Sequence, residues 1–236
     1  MGHKKLSLAD RSQSYPAFLK KLQQPKLTNL TASEPVLIDM RKKDSVQALE
    51  SLVSSQDLEI IDNYDEQYAE LLLSKNAHLY RANYSVQKAS IQKMLDEHYG
   101  KKDPWKLGTW VFFPWKQQLV HILTQPDFEA LRTIRNRDLI TPEEQKKLFE
   151  FETVSFGMSV GSAGALAFGM SGISRRTKLV DGAVISGSNL NRILTGISSV
   201  GLSKATVIGR QIYEMNPYSS VANFDQVTSA NVSKIF

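Results

Sequence analysis

Residues 153–192, TVSFGMSVGSAGALAFGMSGISRRTKLVDGAVISGSNLNR, constrain the fold of this chain more than any other stretch. They read as a strand, a glycine-rich turn, a helix, a second strand ending in Asp181, and a polar loop that presents Asn189 and Arg192. Gly157, Gly161 and Gly164 let a backbone turn tightly and approach a phosphate, and the helix that follows offers unpaired N–H groups to an anion. Asp181 closes the next apolar run at about the twenty-residue separation expected of a group that holds a ribose hydroxyl. Glycines alone are a weak signal; glycines with an acid at that distance point to a nucleotide.

Two other functions compete for the same residues. The run 153–174 has no charged residue, and Gly157 and Gly161 form a GxxxG pair, as in a membrane helix. A span needs about 20 predominantly apolar residues, and this run is rich in glycine and serine, so a membrane role is not expected. Gly157-Met158-Ser159-Val160-Gly161 also fits the nucleophile elbow of a hydrolase, in which the acid and the histidine follow the serine. All four histidines, His3, His78, His98 and His121, precede Ser159, which excludes that order.

Composition narrows the partners. Of 236 residues, 42% are hydrophobic and 22% charged, an ordinary globular mix able to build a core. The net charge of +5 is spread along the chain, with small clusters at 3–5, 41–43 and 101–102. Diffuse positive charge suits an anionic ligand, and a nucleic-acid role is not expected. Cysteine is absent, which removes disulfides, thiolate-ligated zinc and a thiol nucleophile. The polar N-terminus has no apolar core of a secretory signal, and a cytoplasmic protein is the expectation.

Read in order, residues 1–34 form a polar arm punctuated by Pro16 and Pro25. Residues 35–126 alternate short apolar runs with helical spacings, as a small α/β unit does. PVLIDM and LEIIDNY read as strands, and SVQALESLVSS, DEQYAELLLSKN and SVQKASIQKMLDEHYG as helices, the last with Ser85 as N-cap and Gly100 after its final turn. Trp110–Phe113 and Leu119–Leu123 form a two-strand element, and its aromatic residues are expected to fill a core. His121 lies in an apolar run with no metal-ligating neighbour at a suitable spacing, so a hydrogen-bonded core histidine is expected and no residue is assigned to a metal.

Residues 127–151 form a connector. Arg132, Arg135 and Arg137 stand before Thr141-Pro142-Glu143-Glu144, a capping box with proline at the first helical position, so a helix is expected from Pro142 to about Glu150. Residues 152–236 add an amphipathic helix, SKATVIGRQIYEMN, and a third strand, SSVANFD. The expected fold is α/β: a Rossmann-like β-α-β-α-β half of a doubly wound parallel sheet, its ligand at the C-terminal ends of the strands, preceded by the smaller mixed α/β unit. Half a sheet has an open edge and a thin core, and needs the N-terminal unit or a partner beside it.

The segments GMSVGSAG, LVDGAV, SNLNR, VGLSK and EMNPY resemble the nucleotide-binding half of the ThiF/MoeB/HesA-type adenylyltransferases, the superfamily that includes the ubiquitin-activating enzymes. Among these, bacterial ThiF-domain proteins with a long N-terminal extension are the most similar, over roughly 130–236. The resemblance implies binding of ATP and Mg2+ and activation of a carboxylate, typically the C-terminus of a ubiquitin-like or sulfur-carrier protein, as an acyl-adenylate. It implies a phosphate loop containing Gly157, Ser159 and Gly161, a ribose contact from Asp181, and phosphate contacts from Asn189, Arg192 and Lys204. Arg137 would reach the nucleotide, in relatives often from the other subunit of a homodimer; Arg192, Lys204 and Arg137 would be the catalytic residues. Three departures stand out: Ser159-Val160 replaces the glycine pair many members carry, Ala183 replaces the second acid of D-x-D, and the principal magnesium-binding Asp would lie past Phe236. The last implies a truncated chain or an incomplete site. A non-catalytic nucleotide-binding or scaffold fragment and an NAD(P)-dependent oxidoreductase remain the alternatives.

Overall fold

The computed structural model describes residues 32–236, so all but the last three residues of the polar arm 1–34 lie outside it. The described chain forms two sheets. The first contains β1 (Val36–Asp39), β2 (Glu59–Asp62), β3 (Thr109–Phe113) and β4 (Gln118–Ile122) in the order β1-β3-β4-β2. β3 pairs antiparallel with β1 and β4, and β2 lies parallel to β4. Between these strands run α1 (Ser45–Ser55), α2 (Tyr64–Lys75) and α3 (Tyr84–Tyr99). The N-cap of α3 is Asn83, whose side chain accepts from the Val86 N–H, and not Ser85, whose hydroxyl donates to Asn83 instead. Both residue types cap well, and one position in the chain separates them.

Every residue of β3 is buried, which explains its aromatic density. Trp110, Phe112 and Leu119 pack with Leu49 of α1 on one face. On the other face Val111, Phe113 and Ile122 join Leu179, Ile208 and Ile212 from the C-terminal part in a single core cluster. The N-terminal sheet thus covers the thin half-sheet on its helix side.

Two helices connect the units, α4 (Gln125–Arg132) and α5 (Pro142–Glu150). The capping box at the start of α5 is formed in full: the Glu144 N–H donates to Thr141 Oγ1 at 3.2 Å and Glu144 Oε2 accepts from the Thr141 N–H at 2.8 Å.

The second sheet contains β5 (Glu152–Phe156), β6 (Arg176–Val180) and β7 (Ser220–Phe224), all parallel, in that order. The crossovers are α6 (Gly161–Ser171) and α7 (Lys204–Met215), and a short α8 (Val232–Ile235) follows. This is the β-α-β-α-β half of a doubly wound sheet. The uncharged run 153–174 supplies a strand and an 11-residue helix, and among the described residues no helix is long and apolar enough to cross a membrane. α7 is buried around most of its circumference, from Ala205 to Tyr213, because it lies between the half-sheet and the N-terminal sheet. Trp115 and Lys116 fasten that contact through Glu214, at 2.6 and 2.8 Å.

His121 is fully buried and bonds Asp62 Oδ1 at 2.9 Å and the Leu107 carbonyl at 2.8 Å, stacked between Tyr64 and Trp110. It is a hydrogen-bonded core histidine. Among the described residues no group of three or more metal-ligating side chains is present.

Candidate nucleotide site

The site forms where β5 and β6 end. Gly157 leaves β5 with φ +73°, a left-handed conformation that favours glycine, and its N–H donates to the Val180 carbonyl at 2.9 Å. A Cβ on Gly157 would have open space, so conformation alone demands glycine there. Gly161 differs. It opens α6, and a Cβ would stand 2.7 Å from Ser155 Oγ and 3.0 Å from the Phe156 carbonyl oxygen. Its lack of a side chain lets the helix start close against β5, and so aims the helix N-terminus at the loop.

Asp181 closes β6. Its Oδ2 accepts from the Met158 N–H at 2.7 Å and its Oδ1 from the Ala183 N–H at 2.8 Å. The carboxylate therefore ties the glycine loop to the segment that leads towards Asn189. That segment runs back beside the start of α7: Ile185 donates to Leu202 at 2.8 Å and Lys204 to Ala183 at 3.0 Å through the backbone. Lys204, half-buried, then places Nζ 3.5 Å from Ser159 Oγ in the loop. Ser203 caps α7 by accepting from the Thr206 N–H.

Asn189 is buried, and its Oδ1 accepts from the Ser186 N–H at 3.1 Å, closing a 3₁₀ turn over Gly187–Asn189. Arg192 follows that turn. It is exposed, donates to the Ser188 carbonyl and to Asn191 Oδ1 at 3.0 Å each, and lines a cavity of about 520 Å³ that runs along α6 from Ser162 to Met170 and reaches Glu214 at the end of α7. Neither Arg192 nor Lys204 has a carboxylate partner among the described residues. Two cations without counterions thus flank a glycine loop and a helix N-terminus.

Gly157, Ser159, Gly161, Asp181 and Lys204 come together, with Asn189 and Arg192 on the loop beside them. Arg137 does not join them within one chain. It sits in a 3₁₀ turn over Ile134–Asp138, whose Asn136 donates to the Ser171 carbonyl at the opposite end of α6. Asp225, directly after β7, is a carboxylate at the strand ends that motif reading passed over. Its backbone carbonyl would stand 2.9 Å from a Cβ on Gly182, next to Asp181. The available signal was an acid closing the apolar run SVANF, the same pattern that marks Asp181 after RTKLV.

A parallel β-α-β-α-β sheet with a glycine turn and an acid after the second strand is the arrangement found in nucleotide-binding α/β domains. Residues 132–236 match the model of the ThiF family. The chain is 33% identical over 189 residues to the uncharacterized protein MT1398 of Mycobacterium tuberculosis (strain CDC 1551 / Oshkosh), an alignment covering 79% of this chain and 23% of that protein. It thus spans less than a quarter of that relative's length. Similar solved structures include E. coli tRNA N6-threonylcarbamoyladenosine dehydratase, TcdA, in complex with ATP, with 28% identity, TM-score 0.41, and coverage of 44% of each chain. E. coli MccB with ATP is 27% identical at TM-score 0.36, covering 39% of this chain and 29% of that one. Both overlaps take in a minority of each chain.

Proposed function

We propose that this chain is an ATP-binding, adenylyltransferase-like protein, and that its ThiF-type domain takes part in activating a carboxylate as an acyl-adenylate. One observation carries this: Lys204 reaches the glycine loop at Ser159, and neither it nor Arg192, whose guanidinium is held by Ser188 and Asn191, has a carboxylate partner among the described residues. A hydride-transfer site needs the glycine loop and the acid but not these two cations. ATP would place its phosphates at Gly157–Gly161 and the N-terminus of α6, within reach of Arg192 and Lys204, and its ribose near Asp181. In adenylation a carboxylate oxygen attacks the α-phosphorus, a new P–O bond forms, and the bond to pyrophosphate breaks. Negative charge grows on the transferred and leaving groups, where fixed cations stabilise it.

Asp181 has both oxygens committed to backbone N–H groups, and no cluster of metal-ligating side chains stands beside it among the described residues. Among the described residues no group of three or more side chains is placed to hold Mg2+, and no step is assigned to the metal. The same fact favours a second reading, a nucleotide-binding domain without chemistry of its own. The ubiquitin-like or sulfur-carrier substrate, the homodimer and the cytoplasmic location belong to this proposal; Arg137 stands away from the nucleotide of its own chain.

The test is ATP and NADH titration of the whole chain by calorimetry. Arg192→Ala and Lys204→Ala each remove a charged hydrogen bond, about 1.5–3 kcal/mol, so ATP affinity should fall about 10- to 150-fold. The fold should hold, because Arg192 is exposed. NADH binding tighter than ATP and insensitive to Arg192→Ala would refute the assignment. ATP–pyrophosphate exchange with a candidate carrier protein separates an enzyme from a binding domain.

A further inference from the structure

A second cavity, of about 530 Å³, lies at the end of α6 remote from the glycine loop. The helix has 11 residues, about 16 Å at 1.5 Å per residue, so the two sites do not overlap. Side-chain amides build the walls. Gln145 donates to the Gly172 carbonyl at 2.8 Å and accepts from Asn136 at 2.7 Å, and Asn136 also donates to the Ser171 carbonyl at 3.0 Å. These bonds hold α5 and the 3₁₀ turn against the last carbonyls of α6, so the cavity is preformed.

Its charges are uneven. Glu129, only 5% exposed, accepts from Gln125 at 3.2 Å and is neutralised by Arg175, whose guanidinium lies 4.6 Å from the centre of the Phe149 ring. Arg137 and Lys146 also line the cavity, both exposed, and neither forms an ion pair or side-chain hydrogen bond among the described residues. Ile140, Pro142 and Phe149 supply apolar wall. The cavity volume falls in the range of small-molecule sites, which join apolar walls to a few convergent polar groups. The single carboxylate is already paired, so the uncompensated charge is positive.

We propose that this cavity binds a small organic anion with an apolar body, its head group between Arg137 and Lys146 and its body against Phe149 and Pro142. The ligand is distinct from the nucleotide, and the site belongs to one chain. This gives Arg137 a role where its own chain places it.

The experiment is calorimetry and protein-observed NMR on the full chain with 4-phenylbutyrate, naphthalene-1-sulfonate and phenyl phosphate, against the neutral 4-phenylbutan-1-ol. At least one anion should bind saturably and more tightly than the alcohol, with NMR shifts at Phe149 and Arg175. Lys146→Glu and Arg137→Ala should each weaken it by about tenfold or more. Saturating ATP should leave the binding in place. Ala130→Trp, which fills the cavity, should abolish it, and since Ala130 is half-buried a melting curve accompanies that variant. No saturable binding of any anion up to about 10 mM, equal binding of anion and alcohol, indifference to Lys146→Glu, or displacement by ATP would each overturn the proposal.

Discussion

Gly157 and Gly161 sit four residues apart in one loop but are glycine for different reasons, and substitution should separate them. At Gly161 a Cβ would stand 2.7 Å from Ser155 Oγ and 3.0 Å from the Phe156 carbonyl oxygen. The hydroxyl can turn aside, although it then gives up its 3.0 Å bond to the Gly161 carbonyl; the backbone oxygen belongs to β5 and cannot. Overpacking of this kind costs about 1–3 kcal/mol. In a chain of this size each kcal/mol moves Tm by about 2–4 °C, so Gly161→Ala should lower Tm by about 2–12 °C. At Gly157 nothing stands within 4 Å, and the constraint is φ +73°. Asparagine tolerates that conformation better than other side chains, so Gly157→Asn should cost under about 1 kcal/mol, whereas Gly157→Val should cost about 1–3. Adding Ser155→Ala to Gly161→Ala removes the nearer contact, and the pair should depart from additivity by about 0.5–1.5 kcal/mol, measured by chemical denaturation as a double-mutant cycle. Ser155→Ala should not change the cost of Gly157→Val. A Gly161→Ala variant as stable as the parent, or strictly additive with Ser155→Ala, would refute this account of how the helix approaches the strand.

Thr141→Ala removes the side-chain acceptor of the Glu144 N–H in the capping box and should destabilise the protein by about 1 kcal/mol, read from the denaturation midpoint at unchanged slope. Burial, reinforced by the Lys102 charge, holds His98 below the ordinary histidine value of 6.5, and its Nε2 lies 2.9 Å from the Tyr64 hydroxyl. A depressed histidine means the unfolded chain takes up a proton that the folded one resists. Its contribution is therefore whole above pH 6.5 and is lost as pH falls through the folded value. A stability profile between pH 7.5 and 5 should be flatter in His98→Gln than in the parent, and identical profiles would exclude the effect.

The second sheet was legible because its signals are local. A glycine that must take a positive φ, an acid closing an apolar run, and a Thr-Pro-Glu-Glu cap act over a few residues, and β5, α6, β6, α5 and β7 lie where those signals place them. The aromatic run at 110–113 was legible as core because a strand buried on both faces has no room for alternation. The N-cap of α3 was misplaced because Asn83 and Ser85 have equal credentials until backbone geometry chooses between them. The periodicity of α7 pointed to one apolar face, but the helix is covered on two, a fact held by the distant sheet of β3 and β4.

Sequence by itself determined which residues bend, cap and terminate, and hence the half-sheet and its glycine loop, because those properties reside in single side chains and their neighbours. Tertiary structure alone decided which of the named residues meet. It carried Lys204 to Ser159 across 45 positions of chain. It spent both oxygens of Asp181 on the backbone of the loop, and it put Arg137 at the other end of α6, beside Arg175 and Lys146. Such meetings depend on how helices and sheets pack, and packing sums many weak contacts between residues far apart in the chain, which no local pattern records.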